Sequence, residues 1–145
     1  MATGTTELAY LDAATALRAF RRLELSPLDV LDAQIARIEA LNGDTVTGIN
    51  AFTETLFDDA RAQARLAADT YARCAAGGER PPALLGLTVA TKEKHGIAGR
   101  TLEQGLAAHR GRIAEHDHPV VERIRAAGGI IHARTTSPEF SCATV

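Results

Sequence analysis

Two short apolar, β-prone stretches, residues 85–92 and 130–133, are separated by a long connection that carries one amphipathic helical pattern. A strand, a helix-bearing connection and a second strand make a βαβ unit, whose strands run parallel and whose crossover is right-handed. This feature sets the fold class as α/β. It also sets a demand, because a two-stranded parallel sheet leaves both faces and both edges open, and such sheets occur almost only with helices over them and more strands beside them. No third convincing strand is legible, so the sheet reads as unfinished and the chain as part of something longer. Alone, such a chain is expected to be marginal or aggregation-prone; a sharp cooperative melt of a soluble monomer would count against that.

The cover is expected from helices. In the connection, a loop over 93–115 is followed by Asp117 and Pro119 at a helix start, with Val120, Val121, Ile124 and Ala127 on the inner face and Gly128-Gly129 at the end. Three more helices precede the first strand. The second is the best bounded: Ser26 caps it, Pro27 suits its first turn, Asp29 completes a capping-box pair and Asn42-Gly43 ends it. Its Leu28, Leu31, Ile35, Ile38 and Leu41 recur three and four apart and share one face. Residues 11–23, with Leu17 and Phe20 on one side, read as the first helix. An Ala- and Arg-rich stretch over 53–75, stopped by Gly77-Gly78, reads as the third, and Glu79-Arg80-Pro81-Pro82 breaks the pattern before the first strand.

Charge and cysteine usage exclude several classes. A net charge of −2 with interspersed signs gives no basic stripe, so nucleic acid is not an expected partner. The apolar runs are too short for a membrane span, and residues 1–7 lack the basic and apolar regions of an export signal, so a cytoplasmic location is expected and no membrane. Cys74 and Cys142 show no metal spacing and read as unpaired thiols packed as small apolar groups. His116-Asp117-His118 has ligand-like spacing, but it flanks a helix cap instead of ending a strand; no metal and no cofactor are expected.

The lysines are the chemical singularity. Of 16 Lys and Arg residues only Lys92 and Lys94 are lysine, the other 14 being arginine, and both lie in Val89-Ala90-Thr91-Lys92-Glu93-Lys94-His95. Arginine stays protonated in proteins, whereas a buried lysine can lose its proton and act as a base. Lys92 falls at the carboxyl end of the first expected strand, where open α/β sheets gather ligand groups, and is the better placed of the two.

The segment Leu85-Gly86-Leu87-Thr88-Val89-Ala90-Thr91-Lys92-Glu93 resembles the Gly-x-Pro-x-x-x-Lys-Asp stretch that opens the amidase-signature core. The helix from Asp117 to Gly129 and the run Ile130-Ile131-His132-Ala133-Arg134-Thr135-Thr136-Ser137-Pro138-Glu139-Phe140 resemble the family's next helix, strand and Thr-x-x-x-Glu-Phe turn. Glu93 stands where aspartate is common, Leu106 where a small hydroxyl residue often follows glycine, and Thr136 where asparagine is frequent. The resemblance covers nearly the whole chain. It implies that residues 1–145 are the N-terminal part of a single amidase-signature domain, with helices at about 11–76 and the start of the α/β core at about 85–145: an incomplete fold of helices plus the first βαβ unit of a mixed sheet.

The resemblance further implies a Ser–cisSer–Lys triad hydrolysing a small-molecule amide. A neutral lysine takes a proton through a bridging serine from the nucleophilic serine, and backbone N–H groups of a Gly/Ser-rich loop hold the oxyanion. Lys92 takes the base position. Both serines belong to a Gly-Ser-Ser-Gly-Gly-like segment downstream of the Glu-Phe turn that is not in this sequence, and Ser137 and Ser141, outside any glycine-rich setting, read as turn residues. Thr136, Ser137 and Phe140 are expected near the acyl pocket, Phe140 being equally explicable as core. Alternatives are a truncated or split chain that acts only by docking with the remaining C-terminal part, and the A subunit of a tRNA-dependent amidotransferase. A homodimer is compatible with either.

Overall fold

The computed structural model describes residues 4–43 and 48–142. The chain begins with a short helix α1 (Thr5–Ala9) and then α2 (Ala13–Arg21), capped by Asp12, whose carboxylate accepts the Thr15 N–H at 2.9 Å. Helix α3 (Pro27–Asn42) starts as expected: the Leu28 N–H donates to Ser26 Oγ and the Ser26 N–H to Asp29 Oδ2, both at 3.1 Å. Its apolar face is only half used, since Leu31 and Ile35 are fully buried while Leu41 is exposed. Burial of each of those two side chains is worth about 1.5–3 kcal/mol.

A third strand, β1 (Phe52–Thr55), follows, and α4 starts only at Phe57 and runs to Ala75. This corrects the expectation of a helix from Thr53 and of no third strand. The Phe-Thr-Glu-Thr segment is too short to announce itself, and it becomes a strand because the outer edge of another strand is open to it. The remaining elements are β2 (Thr88–Lys92), α5 (Pro119–Ala126) and β3 (Ile130–Thr135).

The sheet order is β1-β3-β2. Strand β3 is central, parallel to β2 with Thr88 opposite Ile130 and Lys92 opposite Thr135, and antiparallel to β1 with Thr55 opposite Ala133. The fold is thus α/β with a small mixed sheet. Along β3 every residue from Ile130 to Arg134 is buried, and successive side chains point to opposite faces. Ile130 packs with Leu31, Ile35, Ala60 and Ala64 of α3 and α4; Ile131 packs with Leu56, Ile97 and Val121. Helices therefore cover both faces. Ala60, Ala64, Ala67 and Tyr71 form the buried stripe of α4, and the three alanines let its backbone approach closely. At its far end the Tyr71 hydroxyl donates to the Leu85 carbonyl at 2.8 Å, while the ring leans on Phe20.

Helix α5 is capped by His118, not Asp117: His118 Nδ1 accepts the Val120 N–H at 3.2 Å. Asp117 instead accepts the Ala98 N–H at 2.8 Å and pairs with Arg125, so it ties the preceding loop to the helix. Val121 is fully buried, but Val120 faces solvent. Both cysteines are free, and Cys142 is exposed instead of packed. Among the described residues no helix is long and apolar enough to cross a membrane.

His132 is buried in β3, and its Nδ1 has no partner among the described residues. Burial holds its pKa below the ordinary 6.5, so on acidification the unfolded chain takes up the proton first. Its contribution to stability is whole above pH 6.5 and is lost as pH falls from there toward the folded value. Thermal melts at about pH 7.5 and about pH 5.5 should show a lower midpoint in acid, and His132→Gln should shrink that difference. A pH dependence untouched by the substitution would contradict the assignment.

Candidate active site

Lys92 is the last residue of β2, half-buried, with Thr135 as its cross-strand neighbour. Parallel strands bring their carboxyl ends to the same side, so Lys92 and the segment 136–142 leave the sheet together. Between those exits lies an open cavity of about 300 Å³. Thr136 and Ser137 line it, opposite Thr53 of β1 and the loop residues Thr101, Glu103 and Gly105. Glu93 forms its inner wall; Lys92 itself is not among the lining residues. A larger cleft of about 440 Å³ lies over the start of α4, but its arginines are already paired, Arg61 with Asp32 and Arg100 with Glu54 and Asp59.

Glu93 is the most constrained residue at this site. Its carboxylate, 6% exposed, accepts the Glu103 N–H at 2.6 Å and the Gln104 N–H at 2.8 Å. Its own N–H donates to the Thr135 carbonyl at 3.0 Å. Arg134, with no exposed side-chain surface, donates Nη2 to the Glu93 carbonyl at 2.7 Å and Nη1 to Glu54 Oε2 at 3.0 Å. Glu54 in turn takes Arg100 at 2.8 Å. A carboxylate whose oxygens both accept backbone N–H groups is an anchor and not a free base. The loop 101–105 is thereby tied to the end of β2.

Sequence reading missed Arg134, Glu54 and Thr53. Arg134 carries a usable signal, a charge directly after an Ile-Ile-His-Ala run, but the apolar pattern that marks the strand stops at Ala133. Glu54 and Thr53 carry none, since they reach the site only through β1.

The turn after β3 is built from strained backbone. Phe140 and Ser141 have φ of 50° and 60°, and Gln104 has 55°. The Phe140 N–H donates to the Gln104 carbonyl at 3.0 Å, and the Ser137 and Ser141 hydroxyls are 3.0 Å apart. Phe140 is 59% exposed, which corrects its reading as core; its ring meets His109 edge-on, with centroids 6.1 Å apart. The turn thus brings Ser137 to the cavity and leaves Phe140 on the outside of the same loop.

The His95 and His118 rings meet at a tilt, with centroids 4.8 Å apart, beside the exit of β2. Burial, and then the neighbouring His118 and lysines, holds the His95 imidazole below its ordinary pKa. Among the described residues no group of three His, Cys, Asp or Glu side chains is placed to hold a metal.

Gly105 closes the cavity by necessity. Its φ is 73°, and a Cβ there would lie 2.6 Å from the Pro138 carbonyl carbon and the Ser137 oxygen. Gly105→Ala should cost about 1–3 kcal/mol in urea unfolding. A loss below about 0.5 kcal/mol would mean that the two loops do not meet as described.

A family model described as Amidase matches residues 29–145. A Mycobacterium tuberculosis protein bearing the name amidase AmiB2 is 37% identical over 135 residues, covering 93% of this chain and 27% of that protein. The A subunit of the glutamyl-tRNA(Gln) amidotransferase of Anaeromyxobacter is 36% identical over 117 residues, covering 81% of this chain and 22% of the relative. Among solved structures, a bacterial aryl acylamidase of the amidase signature family superposes with a TM-score of 0.75 over 92% of this chain and 26% of its own, at 20% identity that speaks for the fold alone. The chain thus spans about a quarter of the length of the relatives it matches. With the family model over most of its length and helices packed on a β2-β3 parallel pair, the chain belongs to the amidase signature family.

Proposed function

We propose that this chain supplies the lysine base of an amidase that hydrolyses a carboxylic amide to acid and ammonia or amine through a Ser–cisSer–Lys triad. The observation that carries this reading is the position of Lys92 at the carboxyl end of β2, directly opposite Thr135 and one residue before the anchored Glu93. A base must be held still relative to its proton donor, and the fixed Glu93 limits where the lysine can swing. Thr136 and Ser137 line the cavity, which supports a place for them next to the acyl group, and Phe140 follows them on the outer side of the same turn. No metal or cofactor takes part in the scheme.

The nucleophile and the bridging serine come from a Gly-Ser-Ser-Gly-Gly-like segment. The serines of the present sequence are Ser26, Ser137 and Ser141, none in such a setting. The isolated chain is therefore expected to be inactive, since a base without a nucleophile has nothing to activate. The remaining C-terminal part of the fold is the partner this reading requires.

Two measurements test it. Purified 1–145 should leave a simple aryl amide intact; hydrolysis abolished by Lys92→Ala would sink the claim of inactivity. In a chain extended through the serine-bearing segment, Lys92→Ala should lower kcat by about 10²–10⁴-fold, and Lys92→Arg should not restore it because arginine does not give up its proton. Near-normal kcat in either variant would remove Lys92 from the base role.

The likeness to the A subunit of an amidotransferase favours a second reading, in which the same triad works within a tRNA-dependent assembly. Amide hydrolysis by the extended chain by itself would support the amidase; dependence on an aminoacyl-tRNA acceptor and on further subunits would support the alternative.

A further inference from the structure

We propose that Arg134 is a positioning residue for Lys92: by gripping the Glu93 carbonyl and the Glu54 carboxylate together, it fixes the main chain that carries the lysine. The inference rests on Lys92 being the base, but its geometry stands apart from that reading. Lys92 is bracketed on its carboxyl side. Its own carbonyl accepts the His95 N–H at 2.9 Å, closing a tight turn, and every polar group of the next residue, Glu93, is engaged. The Glu93 N–H is on Thr135, its two carboxylate oxygens are on the N–H groups of Glu103 and Gln104, and its carbonyl is on Arg134 Nη2 at 2.7 Å. Of these four ties, the one to Arg134 alone reaches across the sheet to β1, through Nη1 on Glu54.

The energetics argue for position over stability. The Arg134 side chain has no exposed surface, and its Nε has no partner among the described residues. A fully buried guanidinium with an unpaired N–H is expensive, and apolar residues of similar volume often stabilise a fold as well or better. What a planar five-donor fork does, and an apolar side chain or a single ammonium does not, is hold a carbonyl and a carboxylate in one fixed geometry. In this site those two acceptors belong to the residue after Lys92 and to the strand that walls the cavity.

The sequence provides its own probe, because Lys92 and Lys94 are its only lysines. Their rates of reductive methylation by formaldehyde and a borane reductant can be followed separately in the 145-residue chain, with exposed Lys94 as the internal reference. In the native chain Lys92 should react more slowly than Lys94. In Arg134→Met the Lys92-to-Lys94 rate ratio should rise about fivefold as the turn opens locally. Arg134→Lys should give a smaller rise, since one ammonium cannot keep both acceptors in the same geometry. Val121→Ala, which cuts a fully buried side chain in the core beside α5, serves as the control for general loosening and should leave the ratio unchanged. An unchanged ratio in whichever Arg134 variant retains native circular dichroism overturns the proposal, and so does an equal rise in Val121→Ala. Failure of the base reading is distinguishable: the extended enzyme would then keep its kcat in Lys92→Ala while the methylation ratio still responded to Arg134.

Discussion

The buried contact of Arg134 with the carbonyl of Glu93 and the carboxylate of Glu54 is the constraint on which the site depends. It joins the exit of β2, the middle of β1 and the end of β3, three segments far apart in sequence. Removing water from a guanidinium and two carboxylates costs several kcal/mol per ion, and only good geometry offsets it. The geometry here is supplied from outside the pair: Arg100 shares Glu54, and two backbone N–H groups neutralise the other side of Glu93. Charge is thereby compensated at each step, and the last member, Asp59, lies in solvent.

Around this polar seam the apolar packing is plain. The alanines of α4 let it lie close on α3 and β3, so Leu31, Ile35 and Ile130 fill the space between them. Val121 of α5 meets Ile131 and Ile97 on the opposite face. Strand β2 pairs on one side only among the described residues. This chain matches about a quarter of each of these relatives, 27% and 26% of their lengths, so in them most of the chain lies outside the matched portion.

The cavity at the strand ends owes its shape to two loops in unusual backbone conformations. Gln104 and Gly105 turn one loop inward, and Phe140 and Ser141 turn the other, and they meet at the Gln104 carbonyl and the Phe140 N–H. Backbone strain of this kind persists where surrounding contacts over-determine it. The Glu93 carboxylate beneath the first loop is such a contact, since its two oxygens accept the N–H groups of Glu103 and Gln104.

The cap of α3, the parallel pairing of β2 with β3, and Lys92 at a strand end were legible in the sequence, because each depends on neighbours within a few residues or on a strong apolar period. The strand β1, the cap of α5 at His118, the exposure of Phe140 and the burial of Arg134 were not. They are decided by what lies across space: an open sheet edge that recruits Phe52–Thr55, a loop that claims Asp117, and a pair of distant carboxylates that make a buried arginine tolerable. Local propensity sets which residues can form an element, but a charge is buried, or a four-residue strand formed, only when its partners arrive from elsewhere in the chain.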